Sequence, residues 1–181
     1  MEKYILLDRD GTINIEKDYL YKIEDFEYEF GVLEALEIFK EKGYKLAIIT
    51  NQSGIGRGYY TEEEFLKLTE FLRDDLAKKD IINEKTYYCP HHVDGQGKYK
   101  VECDCRKPGT LLFEKAIEEL DIDVKSSYMV GDKASDLIPA NKLGMKPVFL
   151  KTGHGREADL KKLTFEFLEF DNLLEFAKKL K

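Results

Sequence analysis

The chain has 181 residues, 43% of them hydrophobic and 36% charged, a balance that fits one soluble globular domain over residues 1–181 and excludes a disordered chain. A formal net charge of −7 argues against a nucleic-acid partner, because phosphate backbones are met by basic stripes. No apolar stretch approaches the roughly 20 residues of a membrane span, so no membrane partner and a cytoplasmic location are expected.

Short apolar runs alternate with amphipathic ones along the whole chain. The first run, Tyr4–Leu7, reads as a strand that ends abruptly in "DRDGT". At an extended strand end, Asp8 and Asp10 project to one side and Arg9 to the other. Two carboxylates held that close repel unless a cation lies between them or one is protonated, and Mg2+, a hard cation with oxygen ligands, is the natural neutraliser. One carboxylate can then attack phosphorus to give an aspartyl-phosphate, while the other protonates the leaving oxygen and later activates water. A solvated turn is the plainer alternative for the same residues. Tyr19–Phe30, rich in aromatics, could line a contact or pack beneath the site.

Val32–Lys42 carries apolar residues at helical spacing and is closed by Gly43. Lys45–Thr50 is the second strand, with Thr50 and Asn51 at its end. The Thr50 hydroxyl can donate to a phosphate oxygen, and the glycines of "NQSGIGRG" either leave backbone N–H groups open to an anion or form a flexible loop. Thr61 followed by three glutamates predicts a capping box and a second long helix.

Thr86–Cys89 reads as the third strand. Beyond it, Cys89, His91, Cys103 and Cys105 offer four soft or borderline ligands for a closed structural Zn2+ site, with His92 a competing ligand and three free thiols the alternative. Such a clamp would hold a polar loop of about 89–107 and position Arg106 and Lys107. Lys107 is then either a phosphate-neutralising ammonium or an ordinary surface lysine.

Thr110–Leu120 predicts a helix, and Ser127–Val130 a fourth strand followed by Gly131 and Asp132. Asp132 would complete a Mg2+ site. Asp136 either orients that site from an outer shell or is a helix-opening acid favoured by the dipole. It opens a short predicted helix to Leu143, with Pro139 expected in the first turn. Pro147–Leu150, a short run within Phe165–Phe170 and a helix over Asn172–Leu180 complete the pattern.

This is the pattern of an α/β fold with a doubly wound, mainly parallel sheet, whose ligands bind at the carboxyl ends of the strands. The chemistry-bearing residues follow directly after the apolar runs.

Taken in order, Asp-x-Asp-Gly-Thr, the post-strand Thr50, Lys107 and Gly-Asp-x-x-x-Asp resemble the haloacid dehalogenase superfamily of phosphohydrolases, from Tyr4 to about Leu150. The resemblance implies a Rossmann-like fold with Asp8 as nucleophile and Asp10 as acid/base. It makes Thr50 and Lys107 the phosphate-binding pair, and Asp8, Asp10 and Asp132 the Mg2+ ligands. Many members insert a cap domain after the first or third strand. Here about twenty residues separate Thr12 from the first helix, and the other position holds the cysteine loop, so an uncapped site is expected. Specificity then falls to nearby loops: Asn51, with Arg57 and Arg106 holding a second anionic group by forked hydrogen bonds.

That second anion points to a small-molecule sugar bisphosphate. "DRDGTIN", "TNQSGIGRG", "YYCPHH", "CDCRKPG" and "YMVGDK" together resemble the D-glycero-D-manno-heptose 1,7-bisphosphate 7-phosphatase family. This implies removal of the C7 phosphate during lipopolysaccharide-precursor biosynthesis, and His91 as the zinc ligand. Gly56 departs from the alanine more usual before the arginine. Histidinol-phosphate phosphatase is a rival of the same mechanism, and a catalytically silent, zinc-stabilised binding module a rival of another class. A monomer is expected.

Overall fold

The computed structural model describes residues 1–180. Its strands are β1 (Tyr4–Leu7), β2 (Lys45–Asn51), β3 (Asn83–Cys89), β4 (Tyr128–Gly131), β5 (Lys146–Leu150) and β6 (Leu168–Phe170). The α-helices are α1 (Val32–Glu41), α2 (Ser53–Arg57), α3 (Glu62–Ala77), α4 (Leu111–Glu119), α5 (Ala134–Lys142), α6 (Glu157–Leu160) and α7 (Leu173–Lys179). The sheet order is β3-β2-β1-β4-β5-β6, and every neighbouring pair is parallel. Winding outward from β1 to β3 and then crossing back to β4 leaves a crevice at the carboxyl ends of β1 and β4, where the strand order reverses.

Alternation along the strands builds two cores. Ile5 and Leu7 face one layer, with Val32, Leu36 and Phe39 of α1, Leu72 and Leu76 of α3, and Leu173 and Phe176 of α7. Tyr4 and Leu6 face the other, with Leu112, Phe113 and Ala116 of α4 and Ala140 of α5. Both faces of β1 are buried, which is why its sequence is uninterruptedly apolar. Each fully buried Leu, Ile or Phe contributes about 1.5–3 kcal/mol of transfer free energy, so this sandwich fixes the strand ends that carry polar groups.

A smaller cluster of Ile55, Tyr60 and Phe65, joined by Tyr21, Tyr88 and Tyr99, supports the edge of the crevice. The aromatic segment before α1 divides between this cluster and the first core: Tyr21 stacks on Tyr60 with centroids 5.2 Å apart, whereas Phe26 packs against the first core and meets Phe71 at 5.8 Å. The Tyr28 hydroxyl donates to Asp75 at 2.8 Å. Thr61 makes the expected capping box, its hydroxyl accepting from Glu64 N and the Glu64 carboxylate accepting from Thr61 N.

Two local expectations are corrected. The glycine-rich "SGIGR" forms α2 instead of an open loop, because Gly58 closes that turn and Ile55 packs inward. Pro139 lies inside α5 and not in its first turn. The helix starts earlier than expected because the Asp136 carboxylate accepts from Lys133 N at 3.0 Å, which makes Asp136 the third residue of the helix. Strand β3 also begins earlier, at Asn83, and α6 has no counterpart among the predicted elements.

Candidate active site

The end of β1 is tied to β4 by Asp8 N donating to Val130 O at 2.9 Å, which brings Asp8 beside Asp132. Gly11 permits the turn that follows: its φ is +79°, and a β-carbon there would lie 2.8 Å from Asp132 Oδ2. Asp8, Asp132 and Asp136 are all buried, with one ligand oxygen from each lying within 4.8 Å of the others.

Lys107 is anything but a surface lysine. At 3% exposure, its ammonium lies 3.0 Å from Asp8 Oδ1 and 2.6 Å from Asp136 Oδ1, and donates to Ile49 O at 2.7 Å. Desolvation opposes its charge, but the Asp136 and Asp8 carboxylates prevail and raise its pKa. Asn51 sets the backbone of this lysine, accepting from Lys107 N at 2.9 Å and donating to Lys107 O at 3.1 Å.

Lys107, with the half-exposed Lys133 3.8 Å from Asp132 Oδ2, does not balance three buried carboxylates. Burial, reinforced by Asp136 and Asp8, pushes Asp132 up to about 8. Burial also raises Asp136 to about 6, with Lys107 opposing the shift and Asp8 adding to it. Asp132 Oδ1 is buried without a hydrogen-bond partner, while Oδ2 accepts from His154 N at 2.9 Å. An orphaned carboxylate oxygen among mutually repelling acids is what a divalent oxygen-binding cation relieves, so the donor set fits Mg2+.

Asp10 is not part of this trio, and Arg9 does not turn away from it. The chain leaves the extended form after Leu7, so the strict alternation expected of a strand lapses. Arg9, 1% exposed, donates from Nη2 to Asp10 Oδ1 at 2.9 Å and to Leu20 O at 2.9 Å. Asn14 Nδ2 donates to Asp10 Oδ1 at 3.0 Å, and Gln52 Nε2 to Asp10 Oδ2 at 3.0 Å. Desolvation favours the protonated carboxyl, yet the Arg9 charge and these hydrogen bonds hold Asp10 below its ordinary pKa. Gln52 and Arg9 are the residues that sequence reasoning missed. The signal for Gln52 was its position directly after Thr50 and Asn51 at a strand end.

The cleft above these groups has a volume of about 840 Å³. Its lining includes Asp8, Asp10, Asn51, Gln52, Arg106 and Lys107, together with Lys133, His154 and Arg156. Thr50 is buried just below, its hydroxyl oxygen accepting from Gln52 Nε2 at 2.9 Å. Arg57 is not on the cleft wall. Its Nη2 lies 3.0 Å from His92 Nε2 and 3.9 Å from Asp94, although Arg106 and Arg57 stand close enough together to depress the His92 pKa beyond the effect of burial.

The cysteine loop converges. Cys105 Sγ lies 2.8 Å from Cys89 Sγ and 3.0 Å from Cys103 Sγ, and His91 Nδ1 lies 3.2 Å from Cys105 Sγ. These sulfur distances exceed a disulfide bond of roughly 2.05 Å, and three thiols and an imidazole with ligand atoms within 4.8 Å of one another are compatible with a zinc donor set. His91 is the histidine in this cluster, while His92 engages Arg57 through Nε2 and accepts from Asp94 N through Nδ1. Gly56 lets α2 approach this loop, since a β-carbon there would lie 2.5 Å from Pro90 O.

Comparison with known proteins agrees with this arrangement. A HAD-hydrolase-like family model matches residues 104–175. The D-glycero-beta-D-manno-heptose-1,7-bisphosphate 7-phosphatase of Haemophilus ducreyi is 46% identical over 160 residues, covering 87% of this chain and 88% of that protein. The D-glycero-alpha-D-manno-heptose-1,7-bisphosphate 7-phosphatase of Campylobacter jejuni is 42% identical over 173 residues, covering 96% and 92%. The crystal structure of D,D-heptose 1,7-bisphosphate phosphatase from B. bronchiseptica, complexed with magnesium and phosphate, superposes with a TM-score of 0.85 at 27% identity, covering 98% of this chain and 97% of the other. The buried carboxylate trio, its lysine and the sheet that carries them are therefore those of a haloacid dehalogenase superfamily phosphatase, and the chain belongs to the D-glycero-D-manno-heptose-1,7-bisphosphate 7-phosphatase family.

Proposed function

We propose that this phosphatase removes the C7 phosphate of D-glycero-D-manno-heptose 1,7-bisphosphate through an aspartyl-phosphate on Asp8, in lipopolysaccharide-precursor biosynthesis. The observation that carries the chemistry is the contact of buried Lys107 with Asp8 at 3.0 Å. Asp8 Oδ1 is engaged by Lys107 and by Arg9 N at 2.8 Å, which leaves Oδ2 to attack phosphorus. As the P–O bond to C7 breaks, Asp10 gives its proton to the leaving oxygen. It then takes one from the water that cleaves the aspartyl-phosphate, returning Asp8 and inorganic phosphate. An anionic phosphate beside Asp10 opposes the Arg9 charge and raises its proton affinity, which supplies the acid form.

Thr50 and Lys107 hold the transferring phosphate. Mg2+, held by Asp8 and Asp132 with Asp136 behind them, would neutralise charge on the phosphate oxygens. The side chain of Asp10, engaged by Arg9, Asn14 and Gln52, serves as acid/base in this scheme and not as a metal ligand.

Arg106 on the cleft wall takes the second phosphate, with Arg57 adding charge at the same edge and Asn51 keeping the Lys107 backbone in register. Cys89, His91, Cys103 and Cys105 would hold Zn2+, which would brace the loop that ends in Arg106 and Lys107. A monomer is the working unit in this reading. Reduced thiols suit a cytoplasmic location, and among the described residues no helix is long and apolar enough to cross a membrane.

The test is phosphate release with Mg2+ from heptose 1,7-bisphosphate, fructose 1,6-bisphosphate and histidinol phosphate at matched concentrations. Selective turnover of the heptose compound with its C1 phosphate retained is the expected result. Preference for histidinol phosphate would move the enzyme to another substrate, and silence on all three would leave a zinc-stabilised binding module.

A further inference from the structure

Gln52 has no direct part in the chemistry above, yet its carboxamide is 2% exposed and bonded at every position. Nε2 donates to Asp10 Oδ2 at 3.0 Å and to Thr50 Oγ1 at 2.9 Å. Oε1 accepts from the Tyr60 hydroxyl and, at 3.4 Å, from Arg9 Nη2. Two donors and two lone pairs are all that a glutamine amide possesses. Its orientation follows from its partners, since an ionised Asp10 only accepts and Arg9 only donates, so the amide cannot flip without facing like with like.

We propose that Gln52 is a positioning residue that sets the acid/base and the phosphate-binding hydroxyl together. Two consequences follow from the bonding. The Asp10 carboxyl plane is pinned from both oxygens, Asn14 holding Oδ1 and Gln52 Oδ2, so the proton it carries leaves in one direction. The Thr50 oxygen, occupied as an acceptor by Gln52, keeps its own O–H to donate, and its one donor contact among the described residues is a long 3.5 Å to Asn51 O. Thr50 thus meets an anion as a donor instead of exchanging that role with its neighbour. Tyr60 and Arg9 complete the buried frame, and a frame with every member satisfied is rigid.

The inference rests on Asp10 being the general acid, and the experiment separates the two. An alkyl leaving group needs protonation and a 4-nitrophenolate does not. Formation of the aspartyl-phosphate is therefore measured in single turnover on heptose 1,7-bisphosphate and on 4-nitrophenyl phosphate, for wild type, Asp10→Asn and Gln52→Met. Gln52→Met keeps the side-chain length and removes both donors. The expected result for Gln52→Met is a loss on the aryl phosphate that reports the Thr50 hydroxyl common to both substrates, and a loss about tenfold to hundredfold greater on the sugar phosphate, part of the 10²–10⁴ that general acid catalysis supplies.

Asp10→Asn should give the same selectivity with a larger loss. If Asp10→Asn is selective and Gln52→Met loses both substrates equally, Gln52 is merely structural and the proposal fails. If Asp10→Asn itself loses both equally, the acid assignment fails instead and takes the positioning role with it. Tyr60→Phe, which frees one lone pair of the Gln52 carbonyl, carries the same comparison if Gln52→Met does not fold: a smaller selective loss supports the proposal, and an equal loss overturns it.

Discussion

Replacing Lys107 by methionine removes the buried ammonium that contacts Asp8 and Asp136 while keeping most of the volume of the side chain. Its three contacts, at 3.0 Å to Asp8, 2.6 Å to Asp136 and 2.7 Å to Ile49 O, are all inside the protein at 3% exposure. Removing one partner of a buried pair costs about 3–5 kcal/mol, because the remaining charge stays desolvated and uncompensated. For a domain of this size each kcal/mol moves the melting temperature by about 2–4 °C, so a fall of roughly 6–20 °C is expected.

The loss should depend on pH, and its sign is fixed. Asp136 already stands at about 6 with Lys107 opposing the shift, so without Lys107 its folded pKa rises further above the unfolded value of about 3.9 and the native state binds more protons than the unfolded one. Stability of the variant then falls as pH rises from about 5 to about 8, relative to wild type. Mg2+ should recover part of it by binding the folded form only. Differential scanning calorimetry of both proteins at the two pH values, with and without Mg2+, is the assay. A deficit below about 3 °C that ignores both pH and Mg2+ would mean that solvent, not the carboxylates, compensates Lys107, and the electrostatic account of the site would fall.

Arg106→Ala should raise KM for a sugar bisphosphate at least about tenfold while changing a monophosphate little, as expected for a charge-assisted hydrogen bond of about 1.5–3 kcal/mol. Arg57→Ala should act in the same direction but less, since Arg57 stands behind His92; equal effects on both substrates would dismiss the second-phosphate assignment. Native mass spectrometry should read one zinc per chain, lost in Cys105→Ser together with turnover, because Lys107 follows that ligand by two residues. A zinc-free wild type of unchanged stability and turnover would show the metal to be dispensable. Asp75, held below its ordinary pKa by hydrogen bonds from Lys79 and then Tyr28, contributes stability present above the unfolded pKa and lost as pH falls through the folded one. Urea unfolding should therefore find wild type and Asp75→Asn converging in acid, and a pH-independent difference between them would exclude that linkage.

Strand ends were legible in the sequence because an uninterrupted apolar run such as Tyr4–Leu7 reports burial on both faces of a sheet, a property each residue carries by itself. The cysteine set was legible for a similar reason: thiols in polar sequence have few other uses. Helix caps followed from local bonding at Thr61, where donor and acceptor lie three residues apart. Pro139 was misread because its place depends on where the helix starts, and that is decided by the Asp136 side chain.

What the sequence determined alone was the alternating fold, the acids placed directly after its strands and the cysteine-rich loop, since these follow from residue type and order along the chain. The tertiary structure decided the partnerships. It buried Lys107 between Asp8 and Asp136, set Arg9 on Asp10, chose His91 over His92, withdrew Arg57 from the cleft wall and gave Gln52 four partners. The physical reason is that a charge or an amide acquires its meaning from what desolvates and faces it. In this fold those neighbours come from strands that are adjacent only after β4 crosses to the side of β1.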